Sequence, residues 1–222
     1  MKPANAHLQL NKAHFPVTVL GPGQRIGLWL QGCSIGCKGC VSVDTWERDP
    51  QRTVAISSLL TWCKQVAGSG LDGVTISGGE PFDQPEGLRH LLQALRLWRS
   101  QARLDFDILC YSGYPLKTLQ QRHARLLALL DALIPEPFID SQSGVLWRGS
   151  SNQPLVPLSP LGQQRYAAFV CAPLQEEDKR MQVAVEGGRV WMIGIPARGD
   201  MTRIEALCRS RGLTLEQVSW RR

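Results

Sequence analysis

Three cysteines stand within one short run, Gly32-Cys33-Ser34-Ile35-Gly36-Cys37-Lys38-Gly39-Cys40, at a C-x3-C-x2-C spacing. Thiolates are soft ligands that select zinc, copper(I) or iron–sulfur clusters. Closed tetrahedral zinc asks for four ligands, usually from two paired motifs, and the sequence offers no second pair. Three thiolates on a 4Fe–4S cube leave one iron without a protein ligand, open to a small molecule. Gly32, Gly36 and Gly39 let such a loop wrap closely and turn N–H groups toward sulfur, which tunes the potential. Two plainer readings stand beside this one: zinc completed by a distant ligand, or three structural cysteines that merely lie close. A second run, Ser77-Gly78-Gly79-Glu80-Pro81, places a carboxylate in a glycine-rich turn. Such a turn lets backbone approach a ligand, or simply joins a strand to a helix.

These runs need elements to position them. After a short polar start, Arg25–Gln31 reads as a strand leading into the cysteines, and 73–77 as a β-branched buried strand leading into the glycines. Helices are expected over 53–66, with Thr53 as N-cap, over 84–99 on its apolar spacing, and over 116–130. Further strands are expected at 106–111 and 132–135. Strands alternating with helices imply crossover units and a parallel sheet, hence an α/β fold. In such sheets ligands sit at the carboxyl ends of the strands, so the two runs should meet at one edge. Residues 135–160, with five prolines, read as a long loop. Residues 165–195 read as β structure, with a hairpin turning at Glu186-Gly187-Gly188, and Asp200 as the cap of a last helix to about 211. The expected domains are a core over 1–160 and a small α+β extension over 161–222.

The 222 residues suit one domain, or one domain with an appendage. An apolar fraction of 43% and a charged fraction of 20% exclude a disordered, collagen-like or membrane-embedded chain. No apolar run approaches the ~18 residues of a membrane span, and the first ten residues lack a signal-like apolar core. The expected location is cytoplasmic. Seven cysteines without an export signal argue against a disulfide framework. Cys63 and Cys110 read as small buried apolar residues, and Cys171 and Cys208 as too isolated for a second cluster. The net charge of +6 permits acidic partners without pointing to them. The terminal Trp220-Arg221-Arg222 reads as a solvated end, and neither nucleic acid nor membrane is expected as a partner.

With these residues in hand, the sequence resembles the radical S-adenosylmethionine (SAM) superfamily, and within it the activating enzymes of glycyl-radical proteins, above all those of anaerobic ribonucleotide reductase. The Cys33/Cys37/Cys40 loop is similar to the superfamily signature. Gly21-Pro22-Gly23, Asp44-Thr45-Trp46, Ser77 to Pro81, Tyr111-Ser112-Gly113-Tyr114 and Trp147 to Gln153 follow in the family's order, over about two-thirds of the chain. The resemblance implies an incomplete, TIM-like parallel barrel, open at one side. It implies a 4Fe–4S cluster on Cys33, Cys37 and Cys40, and SAM held near Gly78, Gly79, Glu80 and Trp46, with Glu80 accepting from its amino group. It implies reductive cleavage of SAM to a 5′-deoxyadenosyl radical, a glycyl-radical protein as substrate, and an external electron donor such as flavodoxin or ferredoxin. Residues 161–222 have no counterpart in the smallest activases. A different peptide or small-molecule substrate, or a non-catalytic cluster-binding module, are the competing readings.

Overall fold

The computed structural model describes residues 6–68, 70–186, 189–216 and 218–221. Strands β1 (His7–Val17), β2 (Arg25–Leu30), β3 (Thr53–Ala55), β4 (Gly73–Gly78), β5 (Asp107–Tyr111), β6 (Ala132–Ile134) and β7 (Val156–Pro157) form one sheet in the order β3-β1-β2-β4-β5-β6-β7. The central four, β2, β4, β5 and β6, run parallel, and antiparallel pairings add β1 beside β2, β3 beside β1 and β7 beside β6. The fold is therefore α/β with a large, mostly parallel sheet.

Helices α1 (Ile56–Ala67), α2 (Pro85–Gln101) and α3 (Leu116–Leu127) are the crossovers. Period 2 along the strands separates two faces. Ile26, Leu28, Leu30, Val74, Ile76, Ile108, Cys110 and Leu133 pack under the three helices in one core. The alternate residues point the other way. Leu109, Ala132 and Ile134 meet Leu155 and Tyr166, and Trp29 meets Val17, Val19, Leu20 and Ile193. Helix α4 (Pro160–Tyr166) and the hairpin of β8 (Met181–Glu186) and β9 (Arg189–Gly194) supply those covers, and α5 (Asp200–Ser210) follows.

The amino ends of the parallel strands carry a buried ionic clamp. Arg25 and Asp107, both 0% exposed, pair at 2.6 and 3.1 Å through both guanidinium Nη atoms. Arg25 also donates to Thr75 Oγ1 at 2.6 Å, and Tyr166 Oη donates to Asp107 Oδ1 at 2.5 Å. The clamp thus fastens three strands and α4 together.

Four sequence expectations change. The polar start is in fact an eleven-residue strand. Its polar side chains prop other loops: Asn11 Nδ2 donates to Gln31 Oε1 at 2.6 Å, and Lys12 pairs with Asp44 at 2.8 Å. Thr53 opens the edge strand β3 rather than capping α1, whose N-cap is Ala55. Residues 160–169 are helical, because Ser159 caps α4 by accepting from Gly162 N, so β structure is confined to 181–194. Gly199, with φ +85°, precedes α5 in place of Asp200. Gly187, Gly188 and Arg222 lie outside the described residues.

Candidate active site

In the parallel core, Leu30 pairs with Gly78 and Tyr111 with Ile134. The loops after β2, β4, β5 and β6 therefore leave the sheet side by side. Those four loops carry Cys33–Cys40, Gly79–Asp83, Ser112–Tyr114 and Glu136–Asp140, and they meet around one cavity of about 730 Å3. Cys33, Cys37, Cys40, Trp46, Gly78, Gly79 and Glu80 all line it. The three cysteines are half-buried, and Gly36 and Gly39 hold φ values of +64° and +78° between them.

The glycine turn is built against the cysteine loop. Gly78 has φ +102°, and a Cβ there would run into the backbone of Leu30; one at Gly79 would meet the Gly32 carbonyl. Gly79 N donates to Leu30 O, and Glu80 N to Gly32 O, both at 2.8 Å. Gly32 N and Cys33 N in turn donate to the carbonyls of Thr45 and Trp46, at 2.7 and 2.9 Å. These glycines thus serve first to bring two loops into contact, and their bonded N–H groups face protein.

Glu80 is 1% exposed and already engaged. Its Oε1 accepts from Phe82 N and Ser112 Oγ, and its Oε2 from Gly113 N at 2.7 Å. Burial pushes its carboxyl up to about 7, against the pull of those three donors. It braces the loop after β4 to the loop after β5 while lining the cavity.

Asp83 does for the cysteine loop what Glu80 does for its neighbour. Its carboxylate accepts from Ser34 N at 2.7 Å, Ser34 Oγ at 2.9 Å and Tyr114 Oη at 2.8 Å. Sequence reasoning missed it, although it sits three residues beyond Glu80 in the same turn. Trp147 to Gln153 is an anchor: Arg148 donates to the carbonyls of Leu146 and Val170, and Gln153 Nε2 to that of Glu136. Asn152 Nδ2 holds Pro137 O at 2.9 Å, which sets the loop facing Cys37.

The donor set fits an iron–sulfur cluster. Burial raises the Cys33 and Cys37 thiols, and bound metal cations reverse that preference by stabilising thiolate. Ser42 N lies 3.4 Å from Cys40 Sγ. Among the described residues no three His, Cys, Asp or Glu side chains converge on a single ion; a cluster that takes one iron per thiolate needs no such convergence. Cys63, with its thiol pushed up to about 12 by burial, and fully buried Cys110 lie in the core beneath.

Residues 19–156 match the family described as the 4Fe-4S single cluster domain. The chain belongs to that family. Among its relatives, the anaerobic ribonucleoside-triphosphate reductase-activating protein of Vibrio cholerae is 32% identical over 63% of this chain and 92% of its own. The pyruvate formate-lyase-activating enzyme of Staphylococcus epidermidis is 30% identical over 73% of this chain and 67% of its own. The crystal structure of QueE from Escherichia coli aligns with a TM-score of 0.44 at 14% identity, over 94% of this chain and 92% of that one. The resemblance to glycyl-radical activating enzymes holds, and the protein is an enzyme of the radical SAM class with a 4Fe–4S cluster and SAM as its cofactors. No helix among the described residues is long and apolar enough to cross a membrane.

Proposed function

We propose that this enzyme reductively cleaves SAM and uses the product to place a radical on a glycyl-radical protein of the anaerobic ribonucleotide reductase kind. The observation that carries the reading is the convergence of the cysteine loop, the Gly78-Gly79-Glu80 turn and the Ser112-Gly113 turn on one cavity at the carboxyl ends of adjacent parallel strands. Helices α1–α3 all cover one face of the sheet, which supports reading it as an incomplete barrel whose open side admits a partner.

Cys33, Cys37 and Cys40 would hold the cluster and leave one of its irons without a protein ligand, open to SAM. When bound, the reduced cluster and SAM supply one-electron cleavage of the sulfonium and a 5′-deoxyadenosyl radical that abstracts hydrogen. The chain's own work is positioning and exclusion of water. Asp83 fixes Ser34, and with it the start of the cysteine loop. Glu80 fixes the Ser112-Gly113 turn, and its carboxylate edge offers a polar surface to the SAM ammonium. Trp46 walls the cavity beside Gly36. The electron would come from an external cytoplasmic donor such as flavodoxin or ferredoxin.

The test is anaerobic reconstitution with iron and sulfide, reduction, addition of SAM and quantification of 5′-deoxyadenosine. Cleavage by wild type and none by Cys37→Ala is the expected result; a loaded cluster without 5′-deoxyadenosine would sink the reading. Adding the large subunit of anaerobic ribonucleotide reductase should then give a glycyl-radical EPR doublet. A second reading, a different substrate, is favoured by one observation: Leu174, Arg180, Gly194–Gly199, Met201 and Thr202, beyond the family match, form a wall of the same cavity.

A further inference from the structure

That wall is firmly seated. Gln182 Oε1 accepts from Thr18 N at 3.0 Å, and its Nε2 donates to Pro16 O at 2.6 Å. Ile193 is buried against Val17 and Trp29. Ile195 N donates to Arg180 O at 2.9 Å, which closes the open end of the β8–β9 hairpin beside the cavity.

The charged side chains that this wall turns to the cavity are Arg180 and Arg198. Neither makes an ion pair among the described residues. Arg180 is half-buried, and the one hydrogen bond its side chain makes among the described residues is from Nε to Ile195 O at 3.4 Å. Its Nη2 lies over Gly144, where a Cβ would approach it to 3.2 Å. Arg198 stands exposed at the rim. The carboxylates that line the cavity with them are committed elsewhere or lie beside the cysteine loop: Glu80 as described, Glu136 accepting from Leu116 N at 2.9 Å, and Asp140 against Gly39. A half-buried guanidinium with idle donors has lost hydration without gaining a partner. Its planar fork matches a carboxylate or phosphate.

We propose that Arg180 and Arg198 form a receptor for an oxyanion, a carboxylate or phosphate group carried by the substrate of the radical reaction. The role of the cavity rests on the radical SAM reading; the anion site does not. SAM carries a carboxylate of its own, so phosphate binding and SAM binding are measured separately.

The experiment compares full-length wild type with Arg180→Gln/Arg198→Gln and with Arg180→Lys/Arg198→Lys. Inorganic phosphate is titrated by calorimetry, and SAM affinity is measured on reconstituted protein by equilibrium dialysis. Wild type should bind phosphate and the glutamine pair should bind it at least about tenfold more weakly, the expected loss for charge-assisted bonds. The lysine pair should fall between them, and SAM affinity should stay within about twofold. Equal phosphate affinity in wild type and the glutamine pair, no binding by wild type, or a loss confined to SAM overturns the proposal. If the glutamine pair does not fold, the single exposed Arg198→Gln carries the same comparison. A wild type that binds phosphate through these arginines but takes up no SAM would keep the anion site and remove the radical reading.

Discussion

Asp83 illustrates how a single carboxylate organises a loop. Three donors converge on it, two of them from Ser34, the neighbour of Cys33. Asp83→Ala leaves those partly exposed donors to water and should cost about 0.5–1.5 kcal/mol, read as a lower urea midpoint and fewer iron atoms per chain after reconstitution. Glu80 makes a different prediction. Its carboxyl, raised by burial to about 7, keeps in the folded state a proton that the unfolded chain has already released. Its contribution is therefore complete below the unfolded value of about 4.5 and is lost as pH rises through about 7. Urea midpoints of the metal-free protein at pH 5 and pH 7.5 should show that slope, and Glu80→Gln should flatten it. The cysteines drew attention in the sequence because three thiols within eight residues mark a ligand set, and they line the cavity. Asp83 and Ser34 did not, because each acts through a partner far away in sequence.

At the scale of elements, the parallel core was legible because β2, β4 and β5 are buried on both faces and read as apolar runs. Strand β1 was hidden by its polar residues, which prop the loops at Gln31 and Asp44 rather than fill the core. Helix α4 was hidden because its signal is one cap and one buried tyrosine. The glycine turn and the cysteine loop form a single unit, stitched through Leu30 and Gly32. Gly79→Ala drives a methyl group into the Gly32 carbonyl and should cost about 1–3 kcal/mol, visible as a lower melting temperature together with poorer cluster uptake. At the other end of the strands, Asp107→Asn leaves Arg25 buried without its charge partner and should cost about 3–5 kcal/mol, with little change in cluster uptake by the molecules that stay folded.

At the scale of the molecule, the segment beyond residue 160 has two roles. Arg165 and Tyr166 reach the clamp at Asp107, whereas β8, β9 and α5 cover the cavity and Ser219 meets Val41 and Asp44 beside the cysteine loop. A chain cut after Ala172 should therefore keep more of its urea stability than one cut after Ser159; equal midpoints would show that α4 adds nothing to the core. The clamp and the cavity share one sheet face but occupy opposite ends of strands five or six residues long, about 17–20 Å apart. That separation bears on descent. Lineages can rewrite the wall, and so change what the enzyme acts upon, without disturbing the clamp at the far end, and substitutions at the two ends should accumulate independently of each other.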